Sequence, residues 1–220
     1  MSIENSKKID FHVHSIFSHD AYSKPKDIVK YCKLKKIDGV LLADNSIETS
    51  KLLSKNIICI PGCEIKTELG EVLGLFIKEK ITKNNFFEVL EKIKSQDGIF
   101  GVPHPFDIFR RNSMGNNLKK IFHEIDVIEG FNSRCLLNQF NKKAQRFSKI
   151  HNIPIIAGSD AHLPREIGNA YTIVNGEDLE EIRKCVLKNK SFFTGKISSF
   201  YVHLFTIWKK YINFFKTHKY

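Results

Sequence analysis

Short, unbroken apolar runs set the strongest limit on how this chain can fold. Val40-Leu41-Leu42-Ala43, Ile57-Ile58-Cys59-Ile60, Ile99-Phe100-Gly101-Val102 and Pro154-Ile155-Ile156-Ala157 are too short for helices and lack polar alternation. Such runs read as strands covered on both faces. Between them lie segments with helical spacing. Pro25 opens one, at a position where a missing N–H costs nothing, and turns Ile28, Val29 and Cys32 inward. Asn84 caps another that carries Phe87, Leu90 and Ile93 inward, and Gly98 stops it. Residues 138–150 and 178–187 supply two more, with a short helix around 49–53. Residues 65–77 read as a hairpin turning at Leu69-Gly70, and 125–128 and 171–174 as further strands. Strand and helix alternate about seven times, which predicts a parallel, barrel-like α/β fold. One domain suits 220 residues.

The polar, titratable residues fall after strands, and in such barrels that rim holds the active site. His12 and His14 sit at alternate strand positions and share a face. Glu64 follows a strand expected to stop at Pro61-Gly62, His104 lies between two prolines, and Asp160 and His162 close Gly158-Ser159-Asp160-Ala161-His162. Asp20 adds a carboxylate. Mixed nitrogen and oxygen donors suit Zn²⁺, Mn²⁺ or Fe²⁺ rather than Mg²⁺ or Ca²⁺. So many donors exceed the need of one ion, so two or three are expected, with Glu64 as a bridge. Paired ions clamp the attacking and leaving oxygens of a displacement at phosphorus. The plainer readings are that Asp20 starts a turn and His104 packs in one. Glu129 and Asp44 are candidates for orienting ligand histidines from behind. Arg134 and Arg165 are candidates for bidentate phosphate contacts, against the reading that both make surface ion pairs. His19, His123, His151, His203 and His218 are expected on the surface.

A formal net charge of +11 favours anionic partners: phosphate esters, nucleic acid or a membrane surface. Most of the lysines are scattered and read as a solvated surface. Five cysteines without a C-x-x-C pair read as reduced thiols in a cytoplasmic protein. Cys59 and Cys63 flank the turn before Glu64, yet read as small buried residues before they read as ligands. Neither a signal-peptide pattern nor an apolar run of spanning length is visible. Residues 1–197 read as the domain and 198–220 as an added helix. There Tyr201, Leu204, Phe205, Trp208, Tyr211, Ile212 and Phe215 share one face, and Lys209, Lys210, Asn213, Lys216 and Thr217 the other. This basic amphipathic helix packs across the barrel or on a partner subunit, lies in a membrane interface, or grips single-stranded nucleic acid.

Taken in order, His12-x-His14, Asp20, Pro61-Gly62-x-Glu64, Pro103-His104-Pro105, Val127-Ile128-Glu129-Gly130-Phe131-Asn132-x-Arg134 and Gly158-Ser159-Asp160-Ala161-His162 resemble the PHP family. These are metal-dependent phosphoesterases named for polymerase and histidinol phosphatase, and the likeness spans residues 8–195. It implies a distorted seven-stranded TIM-like barrel and two or three divalent ions. It also implies that a metal-activated hydroxide hydrolyses phosphomonoesters or the phosphodiesters of nucleotides and oligonucleotides, with Asp160 or His162 moving protons. By position, His12, His14, Glu64 and Asp160 would hold one ion. Glu64 would bridge to a second, also held by His104, and Asp20 and His162 would serve a third. Two departures stand out. The family's Thr-Asp-His after the second strand reads Ala43-Asp44-Asn45 here, and the Asn45 amide is a neutral, weaker ligand. The histidine that the family often supplies shortly after the Pro-Gly-x-Glu segment is missing here, which leaves Glu71 as the nearby candidate to replace it. The third ion is therefore expected to bind weakly or be absent. The competing reading is a catalytically degenerate, metal-binding regulatory or interaction domain.

Overall fold

The structure is a computed structural model that describes residues 6–217 apart from Ser46, with the backbone course alone for 214–217. The side-chain placements expected for Phe215, Lys216 and Thr217, and His218 as a whole, lie outside the described residues. In chain order the elements are β1 (Ser6–Val13), α1 (Pro25–Lys35), β2 (Gly39–Leu42), α2 (Ile47–Leu53), β3 (Ile58–Thr67), β4 (Gly70–Leu75), α3 (Phe86–Lys94) and β5 (Ile99–Val102). Then come α4 (Leu118–Ile121), β6 (Val127–Asn132), α5 (Asn138–His151), β7 (Ile155–Gly158), β8 (Ala170–Asn175), α6 (Leu179–Leu187), β9 (Phe192–Gly195) and α7 (Tyr201–Thr217).

Among the described residues nine strands form one mixed sheet, in the order β7-β6-β5-β4-β3-β2-β1-β8-β9. The expectation of seven parallel strands is corrected here. β3 does not stop at Pro61-Gly62 but runs on and folds back through Thr67 and Gly70 into antiparallel β4. β8 enters antiparallel against β1, and β9, which carries no apolar alternation, pairs with β8. The parallel pairs are β1–β2, β2–β3, β5–β6 and β6–β7. The sheet curls until the chain after β7 meets β1: His14 N–H donates to Ala161 O at 2.9 Å and Ala161 N–H to His12 O at 3.3 Å. The result is a nearly closed, barrel-like sheet.

The apolar runs behave as their composition demands. All four residues of β2 and of β5 are buried. One cluster joins side chains from β1 through β8, among them Phe11, Leu41, Ile60, Leu73, Ile99, Val127, Ile156 and Val174. A second packs α3 against the sheet through Phe86, Val89, Ile93 and Phe100. The cap of α3 is Asn85, not Asn84: its side chain accepts from the N–H groups of Phe87 and Glu88. That shift of one residue turns Phe86 inward and leaves Phe87 63 % exposed.

The closure of the sheet is tight at Gly158. A Cβ there would lie 2.4 Å from the Cβ of His12 and 2.6 Å from its backbone nitrogen. Gly158→Ala is expected to cost about 3 kcal/mol, the upper end of ordinary overpacking, because the obstacle is backbone and cannot swing aside. The urea midpoint of the purified variant measures this; an unchanged midpoint would refute the close approach.

α7 docks the opposite way round from its pattern. Val202 and Thr206 are buried, and Lys209, Lys210 and Asn213 reach the body. Tyr201, Leu204, Phe205, Trp208 and Tyr211 face outward, between 48 % and 68 % exposed. The helix is held by polar contacts: Arg134 Nη2 donates to Thr206 Oγ1 at 3.0 Å and to Val202 O at 3.3 Å, Tyr22 OH to Phe205 O at 3.2 Å and Asn213 Nδ2 to His19 O at 2.6 Å. Among the described residues no helix is long and apolar enough to cross a membrane.

Candidate metal centre

The strand ends bring the imidazoles and carboxylates to one place. His12 Nε2 and His14 Nε2 are 3.2 Å apart. Asp160 Oδ1 lies 3.7 Å from the first and 3.5 Å from the second. A second group gathers Glu64, Glu71 and His104, with their ligand atoms within 4.8 Å of one another. His104 Nε2 is 2.9 Å from Glu64 Oε1 and 3.6 Å from Glu71 Oε2. Glu64 joins the two groups: its Oε1 is 3.5 Å from His12 Nε2 and its Oε2 3.4 Å from His14 Nε2.

This donor set fits cations. Asp160 Oδ1 is buried without a hydrogen-bond partner, as is His104 Nδ1. A buried carboxylate oxygen left bare toward two ring nitrogens is costly unless a positive charge shares the space. His12, His14 and Asp160 would hold one ion and His104, Glu71 and Glu64 another, Glu64 touching both.

Supporting groups fix the rings from behind. His12 Nδ1 is 3.1 Å from Glu129 Oε1, and Glu129 Oε2 accepts from His104 N–H at 2.7 Å and from Asn132 Nδ2 at 2.9 Å. Ser18 Oγ sits 3.0 Å from His14 Nδ1 and donates to Asp44 Oδ1 at 2.6 Å. Partners of this kind set ring orientation and raise ligand basicity. His104 and Asp160 take positive φ, 29° and 54°, which non-glycine residues adopt at a cost of about 1–3 kcal/mol each. The aim of both side chains is thus set by backbone that the surrounding packing must enforce.

Electrostatics follow from the crowding. Burial opposes the charged form of His12, but Asp160, Glu129 and Glu64 outweigh it and push the imidazole up to about 10. Burial likewise opposes ionised Asp160, yet Arg110 and His12 hold it well below the usual range. Burial raises Glu71, helped by Glu64 beside it. His162 goes the other way, down to about 4, through burial and then Arg134 and His14. Its Nδ1 is 2.8 Å from Asp160 O and its Nε2 3.3 Å from Asp20 Oδ1.

The remaining expected residues fall as follows. Asn45 is not at the centre: its carbonyl accepts from Ile81 N–H at 3.0 Å and its amide donates to Ile81 O at 2.5 Å. Arg134 lines the cleft but lies 3.5 Å from Glu166 and bonds α7. Arg165 stacks on Phe205, 5.3 Å from the ring centre. Cys59 and Cys63 are buried free thiols that burial pushes up to about 12, so neither is a ready ligand.

Three residues were not anticipated as site residues. Arg110 pairs with Asp160 Oδ2. His203, expected on the surface, lines the cleft. Asp10 accepts from Ser159 N–H at 2.8 Å and Gly168 N–H at 2.8 Å, tying the Asp160 turn to β1. Burial raises Asp10 to about 6. The cleft over the cluster is about 740 Å³, and Lys66, Arg110, Arg111, Arg134 and Lys210 surround its acidic floor.

Comparison with known proteins bears on the family and the fold. Residues 138–191 match a family model described as PHP-associated. The chain is 36 % identical over 169 residues to the uncharacterized protein MJ0417 of Methanocaldococcus jannaschii, covering 74 % of this chain and 69 % of that protein. Its fold is similar to a two-domain protein of Bacteroides vulgatus containing a predicted PHP-like metal-dependent phosphoesterase: TM-score 0.72, 18 % identity, 93 % of this chain and 70 % of that one. It is also similar to endonuclease Q, solved with a 27-mer duplex bearing an abasic lesion: TM-score 0.65, 22 % identity, 82 % of this chain and 56 % of that one.

Proposed function

We propose, from the premise that this chain belongs to the PHP domain family, that it is a metal-dependent hydrolase of phosphate esters. The observation that carries the reading is Glu64, one carboxylate within 3.5 Å of His12, 3.4 Å of His14 and 2.9 Å of His104. A single anion shared by three imidazoles suits two adjacent divalent ions, of which Mn²⁺, Zn²⁺ and Fe²⁺ match the donors. When bound, such ions supply Lewis acidity, lowering the pKa of water and offsetting charge on phosphoryl oxygens. The chain's own residues do the rest. Arg110, Arg111 and Lys66 ring the cleft and draw the anionic ester in. His162, held low in pKa, is neutral at pH 7 and able to accept a proton at Nε2 beside Asp20. Glu129 and Asp44 hold His12 and His14 in place.

The substrate is a phosphomonoester or the phosphodiester of a nucleotide or oligonucleotide. Phe17 and Phe109 in the cleft wall, interleaved with the arginines, favour a nucleotide. Endonuclease Q, whose fold is similar, was solved with a 27-mer duplex substrate whose abasic lesion lies at the active site. In this reading the hydrolase body runs to residue 197, and α7 (Tyr201–Thr217) is added to it. The test is release of product from bis(p-nitrophenyl) phosphate, p-nitrophenyl phosphate and labelled short RNA and DNA, with Mn²⁺ and after chelation. Turnover with Mn²⁺ that chelation removes supports the reading; protein that neither binds metal nor turns over any of them overturns it. Asn45, bonded to Ile81 instead of the centre, favours the alternative of an inactive metal-stabilised domain. Metal uptake without any turnover would select that one.

A further inference from the structure

The third position of the cluster differs from the other two. Asp20 and His162 meet there, with Asp20 Oδ1 3.3 Å from His162 Nε2. Neither residue belongs to the two ligand groups found among the described residues. Among the described residues no third ligand completes this position: both polar atoms of Asn45 are spent on Ile81, and His19, whose Nδ1 is 3.8 Å from Asp20 Oδ1, is 65 % exposed and joins no ligand group. Two protein donors are a poor set for a divalent ion. A positive charge is nevertheless present. The Lys210 ammonium of α7 lies 2.9 Å from Asp20 Oδ2 and lines the same cleft, and its side chain is 52 % exposed. The next residue, Lys209, turns away to the carbonyl of Ala21 and lies 4.3 Å over the Tyr22 ring. The helix thus presents one of two adjacent lysines to the cluster and uses the other as a fastening.

Resting on the phosphoesterase reading, we infer that Lys210 takes the place of a third metal ion: the centre holds two ions, and the ammonium beside Asp20 supplies the remaining positive charge to the substrate phosphate. An ammonium is a point charge with three donors, so it can bond Asp20 and still offer a proton to a phosphoryl oxygen. The C-terminal helix is then part of the binding site and not an appendage to it.

The experiment uses the full chain. Mn²⁺ is counted by elemental analysis after saturation and dialysis, and inorganic phosphate binding to the Mn²⁺-loaded protein is measured by calorimetry. Two ions per chain are expected. Lys210→Ala is expected to weaken phosphate about tenfold, as loss of one charge-assisted contact would, with Lys210→Arg restoring it to within about threefold. Lys209→Ala, which loosens the helix without touching Asp20, is expected to leave phosphate affinity within about twofold. Three ions or one in the native chain overturn the inference alone, whereas a chain that takes up none and turns over no ester overturns it together with the phosphoesterase reading. Equal phosphate affinity in native and Lys210→Ala protein, or equal losses in Lys209→Ala and Lys210→Ala, overturns it as well.

Discussion

Glu64→Gln is expected to lower hydrolysis about a thousandfold or more and to drop the bound metal below two ions per chain. The substitution keeps shape and removes only charge and one acceptor. Among the described residues Glu64 is the one carboxylate close to His12, His14 and His104 together, at 3.5, 3.4 and 2.9 Å. An amide there presents N–H groups to at least one of those ring nitrogens, and a ring nitrogen facing a donor on one side cannot also face a cation. Burial opposes the Glu64 charge, but His12 and the neighbouring histidines hold its carboxyl well below the ordinary value, so ionised Glu64 belongs to the native arrangement. Elemental analysis beside a bis(p-nitrophenyl) phosphate assay measures both effects. A variant that keeps two ions and turns over within tenfold of the native rate would remove Glu64 from the centre.

The second large effect is on pH. In the metal-free protein burial works against the His12 imidazolium, yet Asp160, Glu129 and Glu64 prevail and hold it at about 10. His14 is raised well above its ordinary value too, burial being outweighed by Asp160, Asp44 and Glu64. The His12 ring therefore carries a proton at pH 7, and a ligand imidazole must be neutral. Ion binding should release at least one proton, and Mn²⁺ affinity should rise about tenfold per pH unit between pH 6 and 8. Stability of the metal-free chain runs the other way. A folded pKa raised from 6.5 to about 10 contributes stability that is complete below pH 6.5 and fades as pH climbs toward 10. Thermal melts from pH 6.5 to 9.5 should fall without metal and hold or rise with Mn²⁺. Parallel slopes, or calorimetry showing no proton release, would contradict this.

Much of the centre was legible because its residues sit in short segments at strand ends. His12 and His14 need only strand alternation to share a face, and Asp160 and His162 need only one turn. Glu71 was legible as a substitute by proximity in sequence, and β4 carries it to His104 because the hairpin register places it there. Arg110 was not legible. Its loop has no periodicity, and its approach to Asp160 depends on Asp107, 3.4 Å away, and on turns set by His104 and Pro105 carbonyls. Asn45 misled because its neighbours in sequence suggested a ligand, while its φ of 57° and the Ile81 backbone turn it elsewhere.

The fold shows the same division. Fully buried runs announced β2 and β5, whereas β9, with Phe192 63 % exposed, had no burial pattern to reveal it. The docked face of α7 was not legible. Periodicity reports that a helix has two faces; burial usually assigns the apolar one to the core. Here Arg134, Asp20 and the Ala21 carbonyl sit where the helix docks, and they select the lysine-bearing face.

That docking has a consequence for how the protein comes into being. His12 leaves the ribosome long before Lys210, and the loop holding Asp20 and Tyr22 gains its contacts with Phe205, Lys209 and Asn213 only when α7 arrives. A barrel emerging ahead of that helix would have its imidazoles in place with the Asp20 side of the cleft still open.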